Sequence, residues 1–298
     1  MNESHLIWQC RDRELDLTTR TRIMGILNLT PDSFYDGGRH DVAERAVARG
    51  LEMAEDGADM IDIGGESTRP GAAPVSAEDE RARVIPVIEA LTEQTGALIS
   101  VDTMKAEVAR EALAAGAHIV NDVSGFTADP EMMETALEFR PGVVLMHMQG
   151  EPRTMQKSPV YDDVVEEVRD YLHQRVDAAI GAGLEPASIV IDPGFGFGKT
   201  MEHNLHLFRG LERFDRRPVL VGISRKSFFQ HLLGRPAEER LSGSLAAMAY
   251  AMTRGVRIFR VHDVKESCDV ARVVDSMREE NAHDEQPAPP TNIEPGIS

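Results

Sequence analysis

Cysteine is nearly absent. Two residues in 298, Cys10 and Cys268, stand far apart and form no metal-type pair, which excludes a disulfide scaffold and fits a reducing compartment. Long hydrophobic runs are missing as well: none approaches the ~18 residues of a membrane-crossing helix. The stretch Met1–Arg13 is polar and charged, without the apolar core of a signal peptide. The expectation is a cytoplasmic protein with no membrane partner. Positive charge is also scarce, with 32 Lys plus Arg against 50 Asp plus Glu and a formal net charge of −18. So acidic a chain is a poor partner for nucleic acid or anionic lipid, and its overall field repels anionic substrates. Any phosphate site must therefore be a local cluster of cations, amides or metal. Solubility or a salt-adapted host is sufficient to explain the charge itself. No internal repeat, no zinc-type His/Cys spacing and no Gly-x-Ser-x-Gly elbow occurs.

What is present is ordinary globular material, 42% hydrophobic and 28% charged. Short Val- and Ile-rich runs alternate with longer amphipathic ones. The short runs are Ile23–Leu29, Asp59–Ile63, Leu98–Val101, Ala117–Val120, Val143–Met146, Ile189–Ile191, Val219–Gly222 and Arg257–Val261. None contains proline, and each reads as a strand buried on both faces. Helical stretches follow, for example Val42–Asp56, Ala77–Gln94, Lys105–Ala115 and Tyr161–Ala182, with Gly57, Gly96, Gly116 and Gly183 where C-caps belong. Eight such units predict a single-domain α/β protein, a (β/α)8 TIM barrel over residues 21–280. An open doubly wound sheet uses the same alternation but more usually has five to seven strands. Residues 1–20 form an extension with room for a short strand or hairpin. Residues 281–298, rich in Pro, Asn, Asp and Glu, read as a disordered tail.

The polar residues are one-sided. The runs end, at their carboxyl sides, in Asn28, Glu66–Arg69, Asp102, Asn121 with Asp122, His147, Asp192, Ser224–Lys226 and His262. In a barrel those ends open on one face, which carries the active site. The Gly- and Pro-rich loops Thr30–His40 and Gly64–Ser76 on that face read as lids.

Single motifs are more ambiguous. Asp192-Pro-Gly-Phe-Gly-Phe-Gly-Lys-Thr200 resembles a phosphate loop, but proline occupies the position of the first Walker glycine. Its three alternating glycines signal either a ligand wall or a tight turn. Asp102, Asn121 and Asp192 could each merely cap a helix. Three from separate strands at one barrel end instead suit the edge of a flat heterocycle with amino and ring N–H groups. Lys226 follows the seventh strand; Arg260 and His262 share one face of the eighth, where such barrels often bind phosphate. Asn28 offers one hard oxygen to a magnesium ion held by substrate phosphates, or else caps an Asx-turn. His147 is equally a ligand contact or a rim residue. Arg22, Arg39 and most helix-face charges read as solvated.

Taken together, Met24-Gly-Ile-Leu-Asn-Leu-Thr-Pro-Asp-Ser-Phe34, Asp62-Ile-Gly-Gly-Glu-Ser-Thr-Arg-Pro-Gly71, Ser100-Val-Asp-Thr103, Leu145-Met-His-Met-Gln-Gly150, Asp192–Lys199, Ser224-Arg-Lys-Ser227, Leu241-Ser-Gly-Ser-Leu245 and Arg260-Val-His-Asp263 resemble the dihydropteroate synthase family, in order and over roughly residues 22–275. The resemblance implies a transferase of folate synthesis, a sulfonamide-target family. It joins (7,8-dihydropterin-6-yl)methyl diphosphate to 4-aminobenzoate, with Mg2+ and as a homodimer. It implies that Asp102, Asn121, Asp192 and Lys226 hold the pterin, Arg260 and His262 the diphosphate, and Asn28 the magnesium. Phe34, Thr68, Arg69, Pro70 and Ser227 would form the aminobenzoate site, and Asp36 would stabilise a cation. Met104 and Ser124–Phe126 depart from the family pattern without touching those residues. A corrinoid-linked methyltetrahydrofolate methyltransferase domain would lack the diphosphate cluster and the Thr68-Arg69-Pro70 loop. A non-catalytic pterin-binding paralogue would have lost loop or cation residues.

Overall fold

The computed structural model describes residues 6–29, 39–68, 71–151 and 153–278, with backbone alone at 39–41. A short antiparallel hairpin, β1 (Ile7–Cys10) and β2 (Arg13–Asp16), precedes the main body. Then come β3 (Arg22–Asn28), α1 (Arg39–Glu55), β4 (Met60–Gly64), α2 (Ala77–Gln94), β5 (Leu98–Asp102), α3 (Ala106–Ala114), β6 (Ile119–Asp122), α4 (Met132–Phe139) and β7 (Gly142–Met146). The chain continues with α5 (Val164–Ala182), β8 (Ile189–Asp192), α6 (Met201–Arg209), β9 (Leu220–Val221), α7 (Phe228–Leu233), α8 (Leu241–Thr253), β10 (Ile258–Val261) and α9 (Val264–Arg278). The eight strands β3 to β10 pair in parallel in the order β8-β7-β6-β5-β4-β3-β10-β9. A parallel bridge between Ile191 and Val219, with the Ile191 N–H donating to Pro218 O at 3.0 Å, joins the two ends. The result is the expected (β/α)8 barrel, not an open sheet.

Each of the eight apolar runs is a barrel strand, displaced by no more than two residues. The helices deviate where local hydrogen bonding decides. α5 starts at Val164 rather than Tyr161 because Asp163 caps it, accepting from the N–H groups of Val165 and Glu166 at 3.0 and 3.1 Å. Gly96 is not a helix cap: α2 ends on Thr95 in extended conformation, so no left-handed residue is required there. Arg22 is not solvated either. Its guanidinium donates to Asp59 Oδ1 at 2.9 Å and to Asp16 O, tying the hairpin to the barrel. The side chain of Arg39 lies outside the described residues.

Two side-chain layers matter for function. Along a strand every second residue faces the barrel axis. Met24, Met60, Leu98, Ile119, Val144, Val190, Leu220 and Ile258, one from each strand, form an apolar floor at the amino-terminal end. That floor would be open to water but for the hairpin, whose Trp8, Cys10 and Leu15 pack on it together with Leu17. Trp8 is fully buried, and its indole N–H donates to Ser188 O at 2.9 Å. The approach needs Gly142 at the start of β7, since a Cβ there would stand 2.5 Å from Cys10 Sγ. The closed floor makes the opposite end the barrel's accessible mouth. Trp8→Ala is expected to lower the unfolding free energy by ~3–5 kcal/mol, as large core truncations do. Denaturant melts should register that loss, while substrate KM values stay at wild-type level.

Candidate active site at the carboxyl end of the barrel

Two residues above the floor, the inward positions turn polar. Met60 is followed in register by Asp62, Leu98 by Ser100, Ile119 by Asn121, Val190 by Asp192 and Ile258 by Arg260. One further step up stand Asn28, Asp102 and His262. Asp62 is the hub of this layer. It is wholly buried and accepts from Ser100 Oγ at 2.6 Å, Asn121 Nδ2 at 3.1 Å and Arg260 Nε at 2.6 Å. Arg260 reaches on to Asp102 Oδ2 at 2.7 Å. A carboxylate can only accept, so Asp62 fixes the Asn121 amide with its nitrogen inward and leaves its oxygen for a ligand N–H. Asp62 lies inside a run that reads as apolar, and a carboxylate in mid-strand was the signal available to single it out. The strand period places it in line with Asp102 and Asp192.

The charges balance within this group. Burial opposes the charge on Arg260, but Asp62 and Asp102 outweigh it and raise its pKa. Burial likewise raises Asp102, against the pull of Arg260, and raises Asp192, against the Gly194 N–H that donates to its Oδ1 at 2.7 Å. Lys226 is brought down to about 8, since burial outweighs Asp192, and its Nζ stands 4.2 Å from the Phe197 ring centre. Burial, with Arg260 and Arg225 nearby, pushes His262 down to about 4, while Ser224 Oγ holds its Nδ1 at 3.1 Å. His262 is thus a neutral hydrogen-bonding group at neutral pH. The cationic site demanded by the acidic chain comes down to Arg260 and Lys226, with Arg225 paired to Asp263 through Nε at 3.0 Å.

The segment 192–200 is a tight turn against the protein itself. Gly194 has φ +69°, and a Cβ there would fall 1.9 Å from His147 O; at Gly198 it would fall 2.4 Å from Gln149 O. Lys199 folds back inside the turn. It is 3% exposed, and its Nζ donates to Gly194 O and Phe197 O at 3.0 Å and to His147 Nδ1 at 2.9 Å. Burial pushes Lys199 down to about 7 and, with the Lys199 charge, His147 down to about 2. His147 therefore serves as an acceptor inside the protein, with its ring edge-on to Tyr171.

On the far side, the loop after β4 is held at its base. Glu66 accepts from the Val75 N–H at 3.0 Å and from Lys105 Nζ at 2.5 Å, and Lys105 also reaches the fully buried Glu80 at 2.5 Å. Thr68 is half-buried on this loop, and Ser227 is exposed just before α7. Phe34, Asp36, Arg69 and Pro70 lie outside the described residues. Asn28 and Asp102 flank Gly64 on adjacent strands. A Cβ on Gly64 would sit 3.7 Å from Asn28 Oδ1 and 3.6 Å from Asp102 Oδ2, the oxygen that also accepts from Arg260 Nη2. Among the described residues no group of three or more His, Cys, Asp or Glu side chains could cage a metal.

A barrel with buried carboxylates and two cations at its mouth can be set beside known proteins. Residues 24–262 match the family model for pterin-binding enzymes. The dihydropteroate synthase of Escherichia coli (strain K12) is 49% identical over 264 residues, covering 88% of this chain and 93% of that one. That of Bacillus subtilis (strain 168) is 45% identical over 265 residues, covering 88% and 90%. Among solved structures, Xanthomonas albilineans dihydropteroate synthase with 4-aminobenzoic acid superposes with a TM-score of 0.87 at 47% identity, covering 93% of this chain and all of that one. The same enzyme in complex with 7,8-dihydropteroate gives 0.84 at 45%, with 92% and 100% coverage. The chain belongs to the dihydropteroate synthase family of pterin-binding enzymes, and it is a transferase of folate biosynthesis. Lys226 is protonated below its pKa of about 8 and loses its proton above it. Activity at limiting pterin diphosphate should therefore fall as pH rises through about 8, and Lys226→Arg should remove that limb. A wild-type profile flat through that region would contradict the assignment.

Proposed function

We propose that Asp102, Asn121, Asp192 and Lys226 hold the pterin of (7,8-dihydropterin-6-yl)methyl diphosphate while Arg260 and His262 bind its diphosphate, Arg260 offsetting the negative charge that builds on the leaving oxygen. The observation that carries this reading is the Asp62 hub, which aims the Asn121 oxygen and fixes Arg260 beside Asp102. The ring's amino and N–H groups donate to Asn121 Oδ1 and the carboxylates, which suits a guanidine-like edge. Arg260 commits two of its five N–H groups to Asp62 and Asp102, leaving three for phosphate oxygens. His262, neutral and steadied by Ser224, adds one hydrogen bond without charge.

The chemistry follows from these placements. The C–O bond between methylene and diphosphate breaks with the electron pair leaving on oxygen, so catalysis is chiefly neutralisation of that charge. The positive charge left on the methylene spreads into the pterin ring, with Asp36 assigned to stabilise it. The amine nitrogen of 4-aminobenzoate then bonds to the methylene carbon and releases its proton, with no strong base required. Phe34, Thr68, Arg69, Pro70 and Ser227 are assigned to the aminobenzoate. The Xanthomonas enzyme bound to 4-aminobenzoic acid supports this acceptor.

Asn28 Oδ1 offers one hard oxygen to a magnesium ion that would arrive with the substrate, with phosphates and water to complete its shell. Once bound, the ion would neutralise diphosphate oxygens alongside Arg260. A cytoplasmic location agrees with the free thiols of Cys10 and Cys268. A homodimer agrees with apolar side chains exposed on the outer helices, Leu232 and Leu233 on α7, Tyr250 on α8, Val273 and Met277 on α9. In a sizing experiment with light scattering, Val273→Glu with Met277→Glu should convert dimer to monomer, and an unchanged mass would move the interface elsewhere.

The decisive assay is aminobenzoate-dependent release of pyrophosphate from the pterin diphosphate with magnesium. Wild-type enzyme should release it, and Arg260→Ala should lose about 10²-fold or more in turnover, the scale of removing one charge-stabilising donor. Absence of release by the wild type refutes the reaction, and full turnover by Arg260→Ala refutes the role of that residue.

A further inference from the structure

Lys199 is a buried amine, an ammonium below about pH 7, with no carboxylate in hydrogen-bond contact. All its partners are neutral: Gly194 O, Phe197 O and His147 Nδ1 at 2.9 to 3.0 Å, and His147 O at the longer 3.5 Å. The three close acceptors match the three N–H donors of an ammonium, which is what offsets the cost of burying it. Such a group inside a turn of its own chain behaves like a bound cation around which the carbonyls are wrapped. The turn it organises is not idle. The Gly194 carbonyl that Lys199 holds belongs to the residue whose N–H donates to Asp192 Oδ1 at 2.7 Å. The Phe197 carbonyl it holds belongs to the residue whose ring lies under Lys226. His147, on the loop after β7, supplies the third anchor, so the turn is fastened to a neighbouring strand. Gln156 and Asn204 brace it from outside through Gly196, and Tyr161 through Gly198 O at 2.9 Å.

We propose that Lys199 is a positioning residue for the pterin site, an internal cation that sets the 192–199 turn so that Asp192 and Lys226 face the ring. Lys199 itself touches no substrate: its three N–H groups point into the turn. This rests on the reading above in which Asp192 binds the pterin. It also accounts for two features that the reaction scheme leaves unused, the alternating glycines and the inward-turned His147.

The test is a pair of steady-state titrations on full-length enzyme, varying pterin diphosphate and then 4-aminobenzoate. Lys199→Met should raise the KM for pterin diphosphate about tenfold or more, the range in which supporting residues act. The KM for 4-aminobenzoate should stay within about twofold, and thermal melts should show a folded barrel. Lys199→Arg keeps the charge and its donors and should recover part of the loss. Unchanged KM values for both substrates, or equal rises in both, would overturn the proposal. If Lys199→Met does not fold, Lys199→Gln, which retains two donors, is held to the same criteria. Asp192→Asn separates the two levels. If it raises the pterin diphosphate KM and the Lys199 variants do not, only the positioning role fails. If it too leaves that KM unchanged, the pterin reading fails and the role of Lys199 with it.

Discussion

The strand period of two, imposed on a closed barrel, is the constraint from which the rest follows. Eight strands at one tilt bring equivalent positions to one height, so a residue's parity decides whether it enters the barrel, and its place along the strand decides how high. The lowest inward positions are apolar and are sealed by a hairpin carrying Trp8. The next inward level holds Asp62, Ser100, Asn121, Asp192 and Arg260; Asp62 joins Ser100, Asn121 and Arg260 from other strands, while Asp192 accepts from Gly194 in its own turn. A one-residue slip in any strand would exchange these for core residues, since alternate positions face the helices. Packing and chemistry are therefore enforced by the same register.

Within that register the electrostatics are compact. The chain carries a net charge of −18, yet the site sets Arg260, Lys226 and Lys199 among Asp62, Asp102 and Asp192. In a low-dielectric mouth these pairings count for more than the screened surface charge at a distance. Burial is the common cause of the shifts: it lowers Lys199, Lys226 and His262 and raises Asp192. Arg260 stays charged because two carboxylates hold it. A multiply charged diphosphate leaving group would meet a site whose cations are already oriented, which is the condition under which charge stabilisation needs no reorganisation.

Much of this was legible in the residue order. Apolar runs located all eight strands, and the one-sided polar residues, Asn28, Asp102, Asn121, Asp192, Lys226, Arg260 and His262 among them, gather at the carboxyl end of the barrel, because both depend on periods and chain direction. Asp62 was overlooked because it interrupts an apolar run by a single residue, and Lys199 because its motif drew attention to the alternating glycines, a ligand wall or a tight turn, while its side chain turns inward. The Gly96 cap failed on a local matter, an extended Thr95 that made a left-handed glycine unnecessary. Arg22 failed on a distant one, its partner Asp59 lying just before the next strand.

By itself the sequence determined the class of fold, the gathering of polar residues at one end of the barrel, and the family, because those rest on periodicity and on contiguous motifs. Tertiary structure alone decided which partner each polar group takes. Asp62 and Arg260 are 198 residues apart, and Lys199 and His147 are 52 apart, and each pair meets only because the barrel closes. The states of those groups follow from the same closure. Burial and the neighbouring strand set whether His262 is neutral and whether Arg260 stays charged, and neither burial nor neighbour is a property of the residue or of its position in the chain.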